Sequence, residues 1–305
     1  MIGLFSTRNP SARELSRTLS RLAPTELPVI LEGETGVGKS FLAARLHRAG
    51  RRGRPYVVMD CGAVPATLLA SELFGHRAGA FTDATRAHQG WLERAGDGTL
   101  VLDRVESLPL EGQTALLRAL EDRTFFPVGT TTARAFRARV VALADAGLRN
   151  RMGAGLFRSD LYHRLAGYHT LLPPLRRRPE DIIPAARALL RRNTRRLDRK
   201  LFLDGDSERL LAAYPWPGNF RELETVLTRA VVQANGPEIG PPDLGLPADA
   251  WPRVVELAAE RRTPLADVER LYALWVLAGA GGNVSRAARA LGISRRTLIR
   301  WRREA

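Results

Sequence analysis

The eight residues Gly33-Glu34-Thr35-Gly36-Val37-Gly38-Lys39-Ser40 constrain this chain more than any other stretch. They follow the apolar run Pro28-Val29-Ile30-Leu31 and precede Phe41, Leu42, Arg45 and Leu46, spaced as at the start of a helix. Buried parallel strand, glycine-rich turn and helix, in that order, are the setting of the G-x-x-x-x-G-K-S phosphate loop. The glycines let backbone N–H groups turn inward onto an anion, and the following helix aims its N-terminus at the same point. The chain holds 45 arginines and two lysines, and one of the two is Lys39. Arginine serves elsewhere, but this position takes a compact ammonium on a flexible stem. Lys39 is expected to reach the β- and γ-phosphate oxygens, and the Ser40 hydroxyl to hold Mg²⁺.

With 305 residues and 45% apolar content, the chain has enough material for one substantial core and smaller modules. No apolar run approaches the ~18 residues of a membrane span. Met1-Ile2-Gly3-Leu4-Phe5 is no basic leader, so a signal peptide is not expected. Cys61 has no partner for an internal disulfide, and the five histidines show no metal-ligand spacing. These features place the protein in the cytoplasm, with no membrane partner. The formal charge of +15 points to a polyanionic partner. Much of it gathers at the end: residues 284–305 carry seven arginines and one glutamate, dense enough for phosphate contact.

Residues 1–175 alternate strand-like and helical runs, the pattern of an α/β domain with a parallel sheet flanked by helices. Strands are expected at Val29–Glu32, Tyr56–Asp60, Thr99–Asp103 and at 139–143. Residues 176–236 read as helices at 181–196, 207–213 and 220–234, with Asn219 and Glu222 as N-cap and capping box of the last. Five prolines between 237 and 262 read as a linker. A short helical module fills 263–305. The first strand begins within about 30 residues of Met1, which leaves no room for an N-terminal sensory domain.

Four further segments resemble one family, the sigma-54-dependent transcriptional activators, in which an AAA+ ATPase is joined to a Fis-type helix-turn-helix. Glu72-Leu73-Phe74-Gly75-His76 followed by Gly79-Ala80-Phe81-Thr82-Asp83-Ala84 is similar to the family's ELFGH…GAFTGA segment, with Asp83 in place of Gly. The resemblance implies that residues Gly79 to Ala84 contact sigma-54, with Phe81 at the tip. Gly98-Thr99-Leu100-Val101-Leu102-Asp103-Arg104-Val105 resembles GTLFLDEI, which makes Asp103 a Mg²⁺-holding Walker B carboxylate. Arg104 stands where the family has the glutamate that polarises water, a group whose loss costs ~10²–10⁴ in rate. Glu106, two residues on, is the nearby carboxylate able to substitute. Phe157-Arg158-Ser159-Asp160-Leu161-Tyr162-His163-Arg164-Leu165 resembles FREDLYYRL, which makes Arg158 and Arg164 arginine fingers reaching a neighbouring subunit's γ-phosphate. Tyr214-Pro215-Trp216-Pro217-Gly218-Asn219-Phe220-Arg221-Glu222-Leu223 resembles YPWPGNVREL, which makes Arg221 a sensor-2 arginine of the helical lid. The family's ATN-like sensor-1 triplet reads Leu143-Ala144-Asp145 here, and Asp60 follows the second strand where Asn is common.

Asn283 to Leu298 resembles the Fis-type helix-turn-helix, with Asn283 and Ser294 as caps and Gly292 at the turn. Ala287, Leu291, Ile293 and Leu298 are its expected core, and a helix at 265–279 packs against it through residues that include Leu265 and Leu274. Arg295, Arg296, Thr297 and Arg300 are expected toward the major groove, with Arg302 and Arg303 near phosphates.

Two functional readings result. The first is a regulator that binds ATP, Mg²⁺ and DNA, dimerises, assembles into a hexameric ring and remodels sigma-54 RNA polymerase holoenzyme. The second is a nucleotide-gated DNA-binding regulator with little or no hydrolysis, suggested by Arg104, Asp145 and Asp83.

Overall fold

A computed structural model describes residues 7–81, 84–195 and 200–303. The chain divides into two compact units, Ser11–Leu172 and Pro173–Ala305, the second including Met1–Pro10.

The first unit is built on a five-stranded sheet of β1 (Val29–Glu32), β2 (Tyr56–Asp60), β3 (Thr99–Asp103), β4 (Arg139–Ala144) and β5 (Tyr168–Leu171), in the order β2-β3-β4-β1-β5. Every pairing is parallel, with Leu31 opposite Leu143 and Asp60 opposite Asp103. β1 and β4 are buried along their whole length, as expected for inner strands covered on both faces. Ile30, Met59, Leu100, Leu102 and Ala142 of the sheet share a core with Leu116 and Leu120 of the helix Leu110–Asp122 and with Leu161 and Leu165 of the helix Ser159–Leu165. β5 was not foreseen. Its Tyr-His-Thr-Leu sequence has no apolar run, because this edge strand is only half covered and leaves Leu171 60% exposed. Since β3, β4 and β1 are parallel neighbours, the segments leaving their carboxyl ends lie side by side, where ligands of open α/β sheets bind.

In the second unit the helices Pro179–Arg195, Gly205–Ala213 and Asn219–Gln233 pack around Leu175, Ile182, Leu210, Tyr214, Trp216 and Leu227. The Arg8 amide donates to Asp181 Oδ1 at 2.8 Å, which ties the start of the chain to this unit. Residues 237–262 correct the linker reading. Glu238–Ile239 pairs in parallel with Phe202–Leu203, and helices form at Pro241–Leu244 and Trp251–Glu260. Ile239, Leu244 and Ala250 are buried in the same core. Pro241, Pro242 and Pro252 sit in the first turns of these helices, where a missing N–H costs nothing. The capping expectation at Asn219 also shifts. Gly218 is the N-cap, and its amide donates to Glu222 Oε2 at 2.8 Å. Asn219, at φ 53°, turns its Oδ1 to accept from the buried Leu175 amide at 2.7 Å.

The helices Leu265–Gly279, Val284–Leu291 and Arg295–Arg303 close the chain. Ala273, Leu277, Ala287, Ala288 and Leu298 form their core, with Leu291, Ile293 and Trp301 packed on it. Leu265, expected among the packing residues, is instead 73% exposed. Among the described residues no helix is long and apolar enough to cross a membrane.

Candidate functional site

Glycine's conformational freedom is used where the phosphate loop needs it: Gly36 has φ 77° and Gly38 has φ 105°. Val37 is buried, the Gly33 amide donates to Ala144 O at 3.1 Å, and Leu42 N donates to Gly38 O at 3.0 Å. This stitches the loop to β4 on one side and to the helix Lys39–Gly50 on the other. Glu34 is half-buried and Thr35 exposed. Lys39 Nζ curls back over the loop to Gly33 O at 2.6 Å and Glu34 O at 3.4 Å, and it pairs with Asp145 Oδ1 at 2.7 Å. Ser40, in the first turn of that helix, is exposed, and Asp103 ends β3 half-buried. A hydroxyl and a carboxylate, with phosphate oxygens, form an oxygen donor set of the kind Mg²⁺ prefers, so these residues fit the expected ion.

Arg104 has left-handed backbone angles, φ 55° and ψ 49°. Its guanidinium forks onto Asp60, with Nε to Oδ1 at 2.9 Å and Nη2 to Oδ2 at 2.5 Å. The Asp60 hydrogen bonds, and then its charge, hold this arginine more firmly protonated than usual. Gly62 makes room for the fork, since a Cβ there would lie 2.8 Å from Arg104 Cζ. Glu106 is not the open carboxylate that was considered as a substitute. It is 7% exposed, its Oε1 accepts from the Asp145 amide at 3.2 Å, and its Oε2 is buried without a hydrogen-bond partner. Cys61 lies beneath these groups at 1% exposure. Burial, then the charges of Asp60, Asp103 and Glu106, push its thiol well above the ordinary range. Iodoacetamide at mildly alkaline pH should therefore leave Cys61 unmodified in the native protein and alkylate it after unfolding, as read by intact mass.

A second network ties the loop's strand to the helix of the expected arginine fingers. Glu32, at the end of β1, accepts from the Gly147 amide at 2.7 Å through Oε1 and meets His169 Nε2 at 2.8 Å through Oε2. His169 Nδ1 in turn meets the Tyr162 hydroxyl at 2.9 Å. The sequence reading did not single out this trio, whose members are 137 and 7 positions apart. Arg158 and Arg164, on either side of Tyr162, are both engaged within the chain. Arg158 forks onto Asp160 at 3.0 and 2.7 Å, which holds that carboxyl below its usual range. Arg164 Nη2 donates to Leu120 O at 2.7 Å. Arg164 also lines a cavity of about 240 Å³ with Pro28 and Gly167, which precede β1 and β5, so it sits at the amino ends of the strands, away from the phosphate loop.

At the Gly79–Ala84 loop, Gly79 N donates to Ala84 O at 2.7 Å and Ala84 N donates to Phe81 O at 2.9 Å, so Ala84 is tied back to both residues. Phe81 is 41% exposed, edge-on to His76 at 4.9 Å between centroids. His76 is anchored in turn by Ser71 and by the Arg86 carbonyl. Ala80 packs over Gly129. Thr82 and Asp83 lie outside the described residues.

In the second unit Arg221 is exposed on the first turn of its helix. Asn283 Oδ1 accepts from Arg286 N at 3.0 Å, Gly292 turns at φ 67°, and Ser294 Oγ accepts from Thr297 N at 3.0 Å. Arg295, Arg296 and Arg300 are exposed on the last helix, which also carries Arg302 and Arg303. The Thr297 hydroxyl, expected toward the groove, shares a 2.8 Å hydrogen bond with Ser294 and so belongs to the cap in this conformation.

Comparisons with known proteins agree along the chain. Residues 5–170 match the Sigma-54 interaction domain, residues 176–250 an AAA+ ATPase lid domain, and residues 264–304 the Fis family of bacterial regulatory proteins. Regulatory protein AtoC of Escherichia coli (strain K12) is 37% identical over 308 residues, covering 97% of this chain. The Sigma54-dependent transcriptional activator SfnR of Pseudomonas putida is 40% identical over 240 residues, covering 78%. In both cases the match spans 66% of the relative's own length. Crystal structures of NtrX from Brucella abortus, in complex with ADP and in complex with ATP, superpose with a TM-score of 0.72 at 28% identity. They cover 96% of this chain and 68% and 67% of theirs.

Proposed function

The chain belongs to the sigma-54-dependent transcriptional activators, and from that premise we propose that it is a DNA-bound regulator gated by ATP and Mg²⁺. Gly33 to Ser40 cradle the phosphates, with Lys39 on the β- and γ-oxygens, and Ser40 and Asp103 hold the ion. Arg221 couples the lid to the nucleotide. Arg158 and Arg164 act on the nucleotide of a neighbouring subunit in a ring. The Gly79–Ala84 loop contacts sigma-54 through Phe81, and Arg295, Arg296, Arg300, Arg302 and Arg303 bind DNA, with Thr297 beside them. The observation that carries the nucleotide assignment is the loop conformation itself. Gly36 and Gly38, both at positive φ, turn the backbone at the head of the helix Lys39–Gly50, and Lys39 folds back onto the Gly33 carbonyl, the backbone shape a phosphate loop needs. A promoter reporter tests the whole reading: activation should disappear in a strain lacking sigma-54, and activity that persists there sinks it.

One observation favours the second reading, a regulator that binds ATP with little hydrolysis. The residue after Asp103 is an arginine whose guanidinium is forked onto Asp60, and a guanidinium cannot take a proton from water. Steady-state ATP turnover separates the two readings. Wild-type turnover above that of Lys39→Ala supports the motor, whereas turnover that appears only in Arg104→Glu supports the gated binder.

DNA binding gives an independent expectation. Arg296→Ala should weaken binding to a specific site roughly 5- to 100-fold in a gel-shift titration at fixed salt, with the fold and the nucleotide affinity unchanged.

A further inference from the structure

We propose that the second unit holds a binding site for a small amphipathic carboxylate, one charged head on an apolar body, against the helix Arg295–Arg303. A cavity of about 410 Å³ opens where this helix meets the helices Gly205–Ala213 and Leu265–Gly279 and the turn after Trp251–Glu260. The space exists because several facing positions are small. Ala212 and Ala213 stand on one helix and Ala273 on another, and a methyl group cannot fill the gap that larger side chains would close. Leu271, Leu274, Leu298 and Trp301 supply the rest of the apolar wall. Both the size and the mostly apolar lining are those of small-ligand sites.

The charged groups of the cavity favour one sign. Among the described residues Arg209, Arg261 and Arg270 line it, with Asp267 as the carboxylate among them. Arg209 is already matched by Asp206 at 2.7 Å. Arg261 is half-buried and donates to two carbonyls, Ala212 O at 3.0 Å and Arg176 O at 2.9 Å, neither of which carries a charge. Burial, opposed by the charges of Glu180 and Glu260, draws this guanidinium below its usual range. Arg270, also half-buried, follows Asp267 by one helical turn.

A carboxylate entering the cavity gives Arg261 the counter-charge that its carbonyl partners lack, while the apolar body covers Leu271, Leu274 and Trp301. A neutral apolar molecule gains only the second effect, and a small hydrophilic anion only the first. The site therefore selects for both ends of one ligand. Leu298 and Trp301 belong to the helix that also carries Arg295, Arg296 and Arg300, so the occupant rests against the helix assigned to DNA. The site goes beyond the function proposed above and does not depend on nucleotide binding.

The test is isothermal titration calorimetry of the full chain with octanoate, 1-octanol and acetate at neutral pH. Octanoate should saturate a single site, with 1-octanol and acetate each at least about tenfold weaker. Arg261→Gln and Arg270→Gln should each weaken octanoate about five- to tenfold and change 1-octanol less than about twofold. Ala212→Leu, which adds a side chain to the cavity wall, should weaken both at least about tenfold. Circular dichroism checks that each variant is folded; should Arg261→Gln unfold through loss of its carbonyl bonds, the other two variants decide. Absence of saturable octanoate binding to the wild type overturns the assignment. So does 1-octanol binding as tightly as octanoate, or octanoate affinity within about twofold of wild type in every folded variant.

Discussion

Lys39→Ala should weaken ATP binding at least ~100-fold, equivalent to about 2.7 kcal/mol, and leave the fold intact. The side chain spans the loop, donating to Gly33 O at 2.6 Å and facing Asp145 at 2.7 Å, and it is one of two lysines in the chain. Its removal takes away the loop's ammonium, while the arginines named at this edge and on the finger helix are already paired: Arg104 with Asp60 and Arg158 with Asp160. Lys39→Arg should not restore binding, because a planar fork cannot follow the path of a flexible stem into a loop this tight. Anisotropy of labelled ATP measures the loss, and an unchanged circular dichroism spectrum excludes unfolding. A loss below threefold in Lys39→Ala would remove the loop from the nucleotide site.

Trp216→Ala should destabilise the second unit by about 3–5 kcal/mol, the range for deleting a large buried aromatic. Trp216 is fully buried in the lid core, and its ring lies at 4.8 Å from that of Tyr214, tilted by 68°. Its Nε1 donates to Leu211 O at 2.8 Å, so alanine would leave both a cavity and a buried carbonyl without that donor. Denaturant unfolding followed by circular dichroism gives the measurement. Trp216→Phe separates the two contributions, since it keeps most of the volume and loses only the hydrogen bond. A cost below about 1 kcal/mol for the alanine variant would mean that the helices of this unit close over the gap.

The sequence resolved most of the first unit and misjudged parts of the second, for physical reasons that differ. β1, β3 and β4 were legible because inner parallel strands need apolar side chains on both faces, and runs such as Val29 to Leu31 have few other uses, while β2, itself an edge, still carries the apolar run Val57-Val58-Met59. β5 was hidden because an edge strand can keep His169 and Thr170, which spend their polar groups on side networks or on solvent. The prolines of 237–262 looked like a linker because proline excludes helix interiors, yet Pro241, Pro242 and Pro252 stand at helix starts.

The elements that the sequence determined by itself are those whose bonds close within a few residues. The phosphate loop is set by its own glycines, and the two caps of the helix-turn-helix are set by Asn283 reaching Arg286 and Ser294 reaching Thr297, three positions on. Pairings of distant charges were left to the tertiary structure. Arg104 meets Asp60 across 44 positions, Lys39 meets Asp145 across 106, and Asn219 meets Leu175 across 44. The order β2-β3-β4-β1 puts the carboxyl ends of those strands next to one another, and only that adjacency decides that Arg104 pairs with Asp60 and Lys39 with Asp145.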